Sequence, residues 1–290
     1  MKRFLTYTGL LLVLVLVLQF IGEYVYTYVY NHGSYRNKVM WVRGLEKETK
    51  LDYAILGSSR VNYHLDPTII EKKTRAVGIN LGLNNSYASD KLLMLEELLE
   101  KTHPKRVFVQ VDYTFDKTGP NPVGSVSWMP YLKEERIFNH FSETEGNYTL
   151  YKNWPFYRYQ IFESQLGIRN ITMSLLGKQP NFLEREGFVP LRRNFNEASA
   201  FSHRLKDVEN ESYAAIQAIC KEKGIDLYFF TAPLNGFQGN FKILEKYLPN
   251  YTDFSKAISE DHYFADEVHL KEAGAILFTE LFVDTYFNNK

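Results

Sequence analysis

The chain has little cysteine and no excess of charge of either sign. Its single cysteine, Cys220, excludes an intrachain disulfide and any metal site built from several cysteines. Lys and Arg number 34, as do Asp and Glu, and the formal net charge is +0. Without a basic surplus we expect no nucleic-acid partner. The seven histidines show no metal-ligand spacing, so we expect neither a metal nor a cofactor.

Charged residues are also absent from Phe4 to Gly22, a run of 19 residues dominated by Leu and Val. At about 1.5 Å per residue this run is about 28 Å long, enough to cross the hydrocarbon core of a bilayer. A cleaved signal peptide is the alternative, but small residues typical of a cleavage site are lacking before the tyrosine-rich segment 24–30. We therefore favour an uncleaved membrane anchor through residues 4–22.

The charges that precede this run predict its orientation. Lys2 and Arg3 stand directly before it, and basic residues favour the cytoplasmic side of a membrane. Residues from about 31 onward are therefore expected outside the cytoplasm, in the periplasm or at the cell surface.

The rest of the chain alternates between strand-like and helix-like segments, which is typical of a parallel sheet covered by helices. The predicted strands are 53–56, 76–81, 106–112 and 225–230, and the predicted helices around them are 91–101, 208–223 and 271–287. Parallel sheets bind ligands beyond the carboxyl ends of their strands. Ser59, the loop 82–87 and Asp112 follow such ends, so we expect them at one edge of the sheet.

The alternation is interrupted by an aromatic-rich segment at about 118–205, predicted as a mostly helical insertion. Its aromatic side chains are those of a subdomain core or of a carbohydrate or lipid platform, and we favour the core. The predicted organisation is thus a transmembrane anchor at 1–30, a connector at 31–50 and an α/β domain at 51–290 that carries this insertion.

Two short motifs carry the candidate chemistry. Gly57-Ser58-Ser59 follows the first predicted strand, where α/β hydrolases place a nucleophile on a tight turn. Asp266 and His269 stand three residues apart just before the last predicted helix. A carboxylate at this spacing orients an imidazole, and a serine needs such a base because it is a weak nucleophile at its own pKa.

Together these motifs resemble the SGNH (GDSL-like) hydrolase superfamily over about 51–117 and 206–290. The chain looks most similar to the membrane-anchored branch related to alginate-acetylation proteins and to the D-alanyl transfer protein of teichoic acid systems. The resemblance implies a three-layer, flavodoxin-like parallel sheet. It also implies Ser59 as nucleophile, His269 as base and Asp266 as the residue that orients it.

The oxyanion donors implied by the resemblance are the backbone N–H of Ser59 and that of Gly82, with Asn85 as a substitute for Gly82 at the aligned turn. Asn85 is also one source of the side-chain amide that the family places after its third strand. Asn84 is the alternative source of that amide and a candidate substrate-binding residue. The family's third block, Gly-x-Asn-Asp, is absent, and Val111-Asp112-Tyr113 stands in its place. Loss of one oxyanion donor costs about 10²–10³ in rate where it has been tested.

Two further polar residues follow the nucleophile. Arg60 is predicted to bind an anionic substrate group, with a surface arginine as the alternative. His64 is an alternative member of the site.

These observations predict an anchored extracytoplasmic serine esterase or O-acyltransferase. The resemblance implies an acylated cell-surface glycan or a related acyl ester as its substrate, and a multi-pass membrane acyltransferase as a partner. The alternative is a catalytically weak or inactive binding partner of such an acyltransferase or glycan, because the third block is missing.

Overall fold

The computed structural model describes residues 1–142, 144, 146–192 and 199–288. Contacts divide the chain into two compact units, each made of two segments. The helical unit comprises Met1–Gly44 and Ser125–Gln179, and the sheet unit comprises Leu45–Gly124 and Pro180–Lys290.

Helices occur in both units. In chain order they are α1 (Lys2–His32), α2 (Lys38–Arg43), α3 (Ser59–Asn62), α4 (Pro67–Thr74), α5 (Ala88–Leu99), α6 (Glu135–Ser142), α7 (Tyr148–Asn153), α8 (Tyr157–Ile161), α9 (Glu163–Leu166), α10 (Ile168–Leu175), α11 (Glu211–Glu222), α12 (Lys242–Tyr247) and α13 (Glu272–Tyr286). Short 3₁₀ segments span Gly124–Tyr131, Asn181–Arg185 and Asp261–Tyr263.

The sheet unit is built on one parallel sheet. Its strands are β1 (Tyr53–Gly57), β2 (Gly78–Gly82), β3 (Arg106–Gln110), β4 (Asp226–Thr231) and β5 (Tyr251–Asp253). Their spatial order is β2-β1-β3-β4-β5, and every pairing is parallel. This is the flavodoxin-like order, so the predicted three-layer α/β fold is confirmed.

Helices lie against both faces of the sheet, so its strands are buried. Side chains alternate along a strand, so Tyr53 and Ile55 face one layer while Ala54 and Leu56 face the other. Tyr53 and Ile55 join a core with Phe278 of α13, and α13 packs on α4. The pair α5 and α11 forms another layer. Full burial of an apolar side chain such as Ile55 or Phe278 contributes about 1.5–3 kcal/mol relative to exposure.

In the helical unit, α1 is the candidate membrane span. It contains an 18-residue window with a mean hydropathy of 2.4, and none of that window is buried by the protein. A signal sequence near an N-terminus has the same length and composition. The aromatic side chains of Trp128, Tyr131 and Tyr159 are buried in the structure, as the core interpretation of the insertion predicts.

The helical part of the insertion is narrower than 118–205. Residues 180–192 belong to the sheet unit, where Phe188 joins the sheet core and Val189 N–H donates to the Asn62 carbonyl at 2.9 Å. Arg185 pairs with the buried Asp66. These contacts join a segment of the predicted insertion to the sheet. The part of the predicted insertion at 193–198 lies outside the described residues.

Candidate active site

The predicted nucleophile lies on a tight turn at the carboxyl end of β1. A Cβ atom at Gly57 would collide with Val61, so the close approach of α3 to the strand requires a glycine there. Ser58 caps α3, with its hydroxyl 3.3 Å from the Arg60 N–H. Ser59 is therefore the first residue of a short helix that leaves the edge of the sheet.

The predicted base lies on a loop that Asp266 organises. One carboxylate oxygen, Oδ1, accepts the backbone N–H groups of Val268 and His269 at 2.8 and 2.7 Å. The Ala265 N–H donates to the His269 carbonyl at 2.7 Å and closes the loop. The three-residue spacing therefore folds the loop back so that the carboxylate meets the imidazole of His269.

The two motifs meet although 210 residues separate them. His269 Nε2 lies 2.8 Å from Ser59 Oγ, and His269 Nδ1 lies 2.8 Å from Asp266 Oδ2. The carboxylate assigns the proton to Nδ1, which leaves Nε2 to accept the serine hydroxyl. The structure thus brings together the three predicted side chains in the arrangement of a nucleophile, a base and an orienting carboxylate.

Asp266 is ionised in this arrangement at neutral pH. Partial burial opposes ionisation, but the hydrogen bonds from the His269 ring and from the Val268 and His269 backbone outweigh it and hold the pKa of the carboxyl below its usual value. A charged carboxylate can stabilise an imidazolium at His269.

His64 supports the base loop but does not meet Ser59 through a hydrogen bond in the described structure. It is fully buried, and its Nε2 accepts the Leu270 N–H at 2.9 Å. The ring is therefore neutral with its proton on Nδ1. Its centroid lies 6.4 Å from that of His269. His64 thus positions Leu270, the residue that follows the base. This role differs from the sequence prediction of His64 as an alternative member of the site.

Lowering the pH from about 7.5 to about 5.5 is expected to destabilise the sheet unit through His64. Burial lowers the pKa of His64, and the nearby Arg60 and His269 act in the same direction. Below the ordinary histidine pKa of about 6.5 the unfolded chain binds a proton that the folded chain does not. Stability therefore falls as the pH decreases, by up to about 1.4 kcal/mol per pH unit for this one proton.

The measurement is the unfolding temperature of wild type and His64→Gln across that pH range. We expect a flatter dependence in the variant, whereas parallel curves would assign the pH effect to other groups. His103→Gln changes an exposed histidine and is the matched control. The depressed carboxyl pKa values of Asp266 and Asp112 add their effects only at lower pH, where those groups take up protons.

The structure contradicts the prediction that Arg60 binds substrate. Its side chain is buried, with the residue 1% exposed. One guanidinium nitrogen donates to Asp112 Oδ2 at 2.8 Å, and another donates to the Ala232 carbonyl. The charge is thus neutralised inside the protein, beneath the turn that carries Ser59, and is not presented to a ligand.

A buried polar network, which sequence reasoning missed, surrounds this ion pair. Gln110 accepts both the backbone N–H and the hydroxyl of Ser58 at 3.1 and 2.9 Å, and donates to Asp112 at 2.6 Å. Lys91 donates to the Gln110 carbonyl at 2.7 Å. Burial lowers the pKa of Lys91 to about 8, against the attraction of Asp112 and Asp90. The signal for this network was the polar pair at positions 110 and 112, where a buried strand ends.

The carboxyl of Asp112 is the anion of this network. Burial alone would raise its pKa, but Arg60, Lys91 and hydrogen bonds from Thr114 outweigh that effect and lower it. The position that corresponds to the third block of the resembled SGNH family therefore holds a structural carboxylate. This carboxylate fixes Arg60 and, through Gln110, the Ser58 cap of α3.

The predicted oxyanion donors have separate outcomes. The Gly82 N–H donates to Asn80 Oδ1 at 3.0 Å inside the protein, which contradicts its prediction as a donor. Gly82 is instead required because a Cβ atom there would collide with the Asn62 backbone of α3. Among the described residues, the backbone N–H groups of Ser59, Asn84 and Asn85 have no protein acceptor. The Ser59 and Asn85 donors therefore stay predictions.

Asn84 lies on the exposed turn after β2, beside an aromatic side chain that sequence reasoning missed. Its Nδ2 donates to the Tyr63 hydroxyl at 2.8 Å, and its Oδ1 accepts Asn62 Nδ2 at 3.2 Å. The Tyr63 ring meets the His269 ring edge to face, with centroids 5.6 Å apart. Asn84 thus remains a predicted substrate contact at the rim of the site.

The site is a partly exposed surface at the carboxyl edge of the sheet. The side chains of His269 and Asp266 are both partly accessible to solvent. A cavity of about 740 Å³ lies elsewhere, around the amino ends of β1 and β3, and is lined by segments 47–52 and 99–105. Across the described residues, no group of three or more His, Cys, Asp or Glu side chains is arranged to hold a metal ion.

Comparison with known proteins found similar solved structures at low sequence identity. No family model and no curated protein matches the chain. One similar solved structure, a protein from Desulfitobacterium hafniense DCB-2 described as lipolytic and of the G-D-S-L family, shares 12% identity with a TM-score of 0.28 and covers 79% of this chain and 96% of its own.

Another similar structure, BT4096, is described as a gut microbial diltiazem-metabolizing enzyme. It shares 14% identity with a TM-score of 0.31 over 84% of this chain and 48% of its own, so the chain spans about half of its length.

Proposed function

We propose that the chain is a membrane-anchored extracytoplasmic serine esterase or O-acyltransferase. The observation that carries this proposal is the continuous contact from Asp266 through His269 to Ser59, with both hydrogen bonds to the imidazole at 2.8 Å. A hydroxyl 2.8 Å from a neutral, carboxylate-oriented imidazole nitrogen is placed for general-base activation.

In the proposed reaction Ser59 Oγ attacks the carbonyl carbon of an acyl ester while its proton passes to His269 Nε2. Asp266 stabilises the imidazolium that forms. The tetrahedral oxyanion takes hydrogen bonds from the Ser59 N–H and from the turn at Asn84 and Asn85. Collapse breaks the bond to the alcohol, which leaves with the proton held by His269.

The acyl group is then bound to Ser59 as an ester. His269 removes a proton from an incoming nucleophile, which attacks the acyl carbonyl, and Ser59 leaves as the alcohol after reprotonation. Water as that nucleophile gives hydrolysis, whereas a glycan hydroxyl gives transfer. The partly exposed site suits an acceptor larger than water, and we propose an acylated cell-surface glycan or a related acyl ester as the substrate.

The membrane part of the proposal rests on the apolar run of α1 and on Lys2 and Arg3 before it. It places the sheet unit outside the cytoplasm, with a multi-pass membrane acyltransferase as a candidate partner that supplies or receives the acyl group. The alternative function, a catalytically inactive partner of such an enzyme, is favoured by one observation. The carboxyl end of β3 holds the buried Asp112 and offers no amide to an oxyanion.

Covalent labelling distinguishes the two functions. The full-length chain, solubilised in mild detergent, is treated with a fluorophosphonate probe, and the adduct is located by peptide mass spectrometry. We expect an adduct on Ser59, because its hydroxyl lies 2.8 Å from an imidazole nitrogen that can accept its proton, and loss of that adduct in His269→Ala. Absence of labelling in a folded wild-type protein would support the inactive partner and reject catalysis.

A further inference from the structure

The structure shows the level along α1 at which other residues of the helical unit begin to cover this helix. This level along the helix axis is its height above the exposed apolar run. From Phe4 to Ile21 the large apolar side chains of this helix are exposed. Glu23 is the first buried residue along the helix. Its carboxylate pairs with Arg158 at 2.7 Å and with Lys133 at 2.6 Å. Contacts between α1 and the remainder of the helical unit therefore begin at Gly22 and Glu23, while Tyr24, Val25 and Tyr28 further along the helix stay exposed.

The segment Trp154–Arg158 is held at that height. The Phe156 ring lies against Gly22, where an added Cβ atom would come within 3.0 Å of it. The Phe156 N–H donates to Glu23 Oε2 at 3.1 Å, and the ring meets Tyr26 edge to face at 4.8 Å. Phe156 also has a left-handed φ of 63°, a conformation that a bulky residue keeps only where its surroundings impose it.

Trp154 is the exposed residue of this segment. It is 49% exposed, whereas the other two tryptophans, Trp41 and Trp128, are buried. Two residues span at most about 7 Å of chain, so Trp154 lies near the height of Gly22. Leu150, one helical turn earlier in α7, is 41% exposed and adds to the same apolar surface.

We propose that Trp154 and Leu150 form a second membrane contact, seated in the interface of the same bilayer that α1 spans. Indole rings favour the boundary between headgroups and acyl chains because they are apolar with one polar N–H. Lys133 is exposed beside Glu23 and places an ammonium at the same height. This contact, which rests on the anchoring part of the proposed function, fixes the tilt and rotation of the helical unit at the lipid surface.

The test uses the full-length chain reconstituted into phosphatidylcholine vesicles, with or without lipids brominated near the headgroup end of the acyl chains. Flotation of the vesicles first establishes that the protein is anchored. We expect the brominated lipid to quench part of the tryptophan emission of wild type, and we expect this quenching to be lost in Trp154→Phe.

A matched control moves the indole away from the proposed interface. Leu176, at the end of α10, is 65% exposed, and Ser174, two residues earlier, donates to the Ser34 carbonyl at 2.7 Å. That point lies beyond the end of α1, about 15 Å from Gly22 at 1.5 Å per residue. Leu176→Trp in the Trp154→Phe background is therefore expected to show no quenching by the brominated lipid.

The outcomes separate the two proposals. If the protein floats with the vesicles but wild type and Trp154→Phe are quenched equally, the anchor stands and the second contact is rejected. Quenching of Leu176→Trp as strong as that of wild type would also reject it, since the effect would not depend on height. A protein that does not float rejects both the anchor and the contact, while labelling of Ser59 tests the chemistry independently.

Discussion

Ser59→Ala is expected to lower ester hydrolysis by about 10⁴-fold or more, with folding unchanged. The variant removes the hydroxyl oxygen that lies 2.8 Å from His269 Nε2 and that attacks the ester in the proposed reaction. What remains is the contribution of binding and of the oxyanion donors. The measurement is kcat/KM for a chromogenic short-chain ester with the full-length chain in detergent.

The neighbouring hydroxyl provides the matched control. Ser58 Oγ donates to Gln110 and caps α3, so its role is structural. Ser58→Ala is expected to cost about 0.5–2 kcal/mol of stability, as loss of a helix cap does, while turnover is retained. If Ser59→Ala kept wild-type turnover, Ser59 would not be the nucleophile and the mechanism proposed here would be rejected.

Asp112→Ala is expected to destabilise the sheet unit by about 3–5 kcal/mol, because it leaves the buried guanidinium of Arg60 without its anion. The two side chains are almost fully buried and lie 2.8 Å apart. Removing one partner of such a pair costs far more than the pair contributes relative to apolar residues. Denaturant unfolding of wild type and variant, compared by midpoint and slope, measures the loss.

Two further variants show whether burial is the cause. Asp207 and Lys246 form an ion pair of similar length, 2.7 Å, whose side chains are more than half exposed. Asp207→Ala is therefore expected to change stability little. The double variant Arg60→Leu with Asp112→Leu removes both charges and is expected to recover part of the loss. Equal losses in Asp112→Ala and Asp207→Ala would contradict the argument from burial.

The parts of the fold and site that follow from local patterns could be predicted from the sequence. The apolar run at 53–56 and the Gly57 turn after it fixed the start of the sheet. The short spacing of Asp266 and His269 predicted their mutual contact, because both residues belong to one loop. Their meeting with Ser59 followed from the rule that ligand sites lie beyond the carboxyl ends of parallel strands.

The parts that depend on distant pairing could not be predicted. In the sequence, Arg60 is a polar residue that follows the predicted nucleophile. Only the fold shows that Asp112, 52 residues away, pairs with the Arg60 guanidinium in the protein interior. The sequence pattern predicts the Gly82 N–H as an oxyanion donor, but in the fold this N–H donates to Asn80, two residues earlier. Strand β5 is three residues long and is defined by its pairing with β4, so it has no periodicity to detect.

The contact between His64 and the Leu270 N–H has a consequence for the order of events in folding. It joins the turn after β1 to the loop before α13 across 206 residues, and the Ser59–His269 contact spans 210. Contacts of such high sequence separation form late, since a long loop must close first. A nascent chain that has completed β1 therefore carries an unactivated serine. The contact between Ser59 and His269 on which the proposed mechanism depends therefore forms only when α13 has docked.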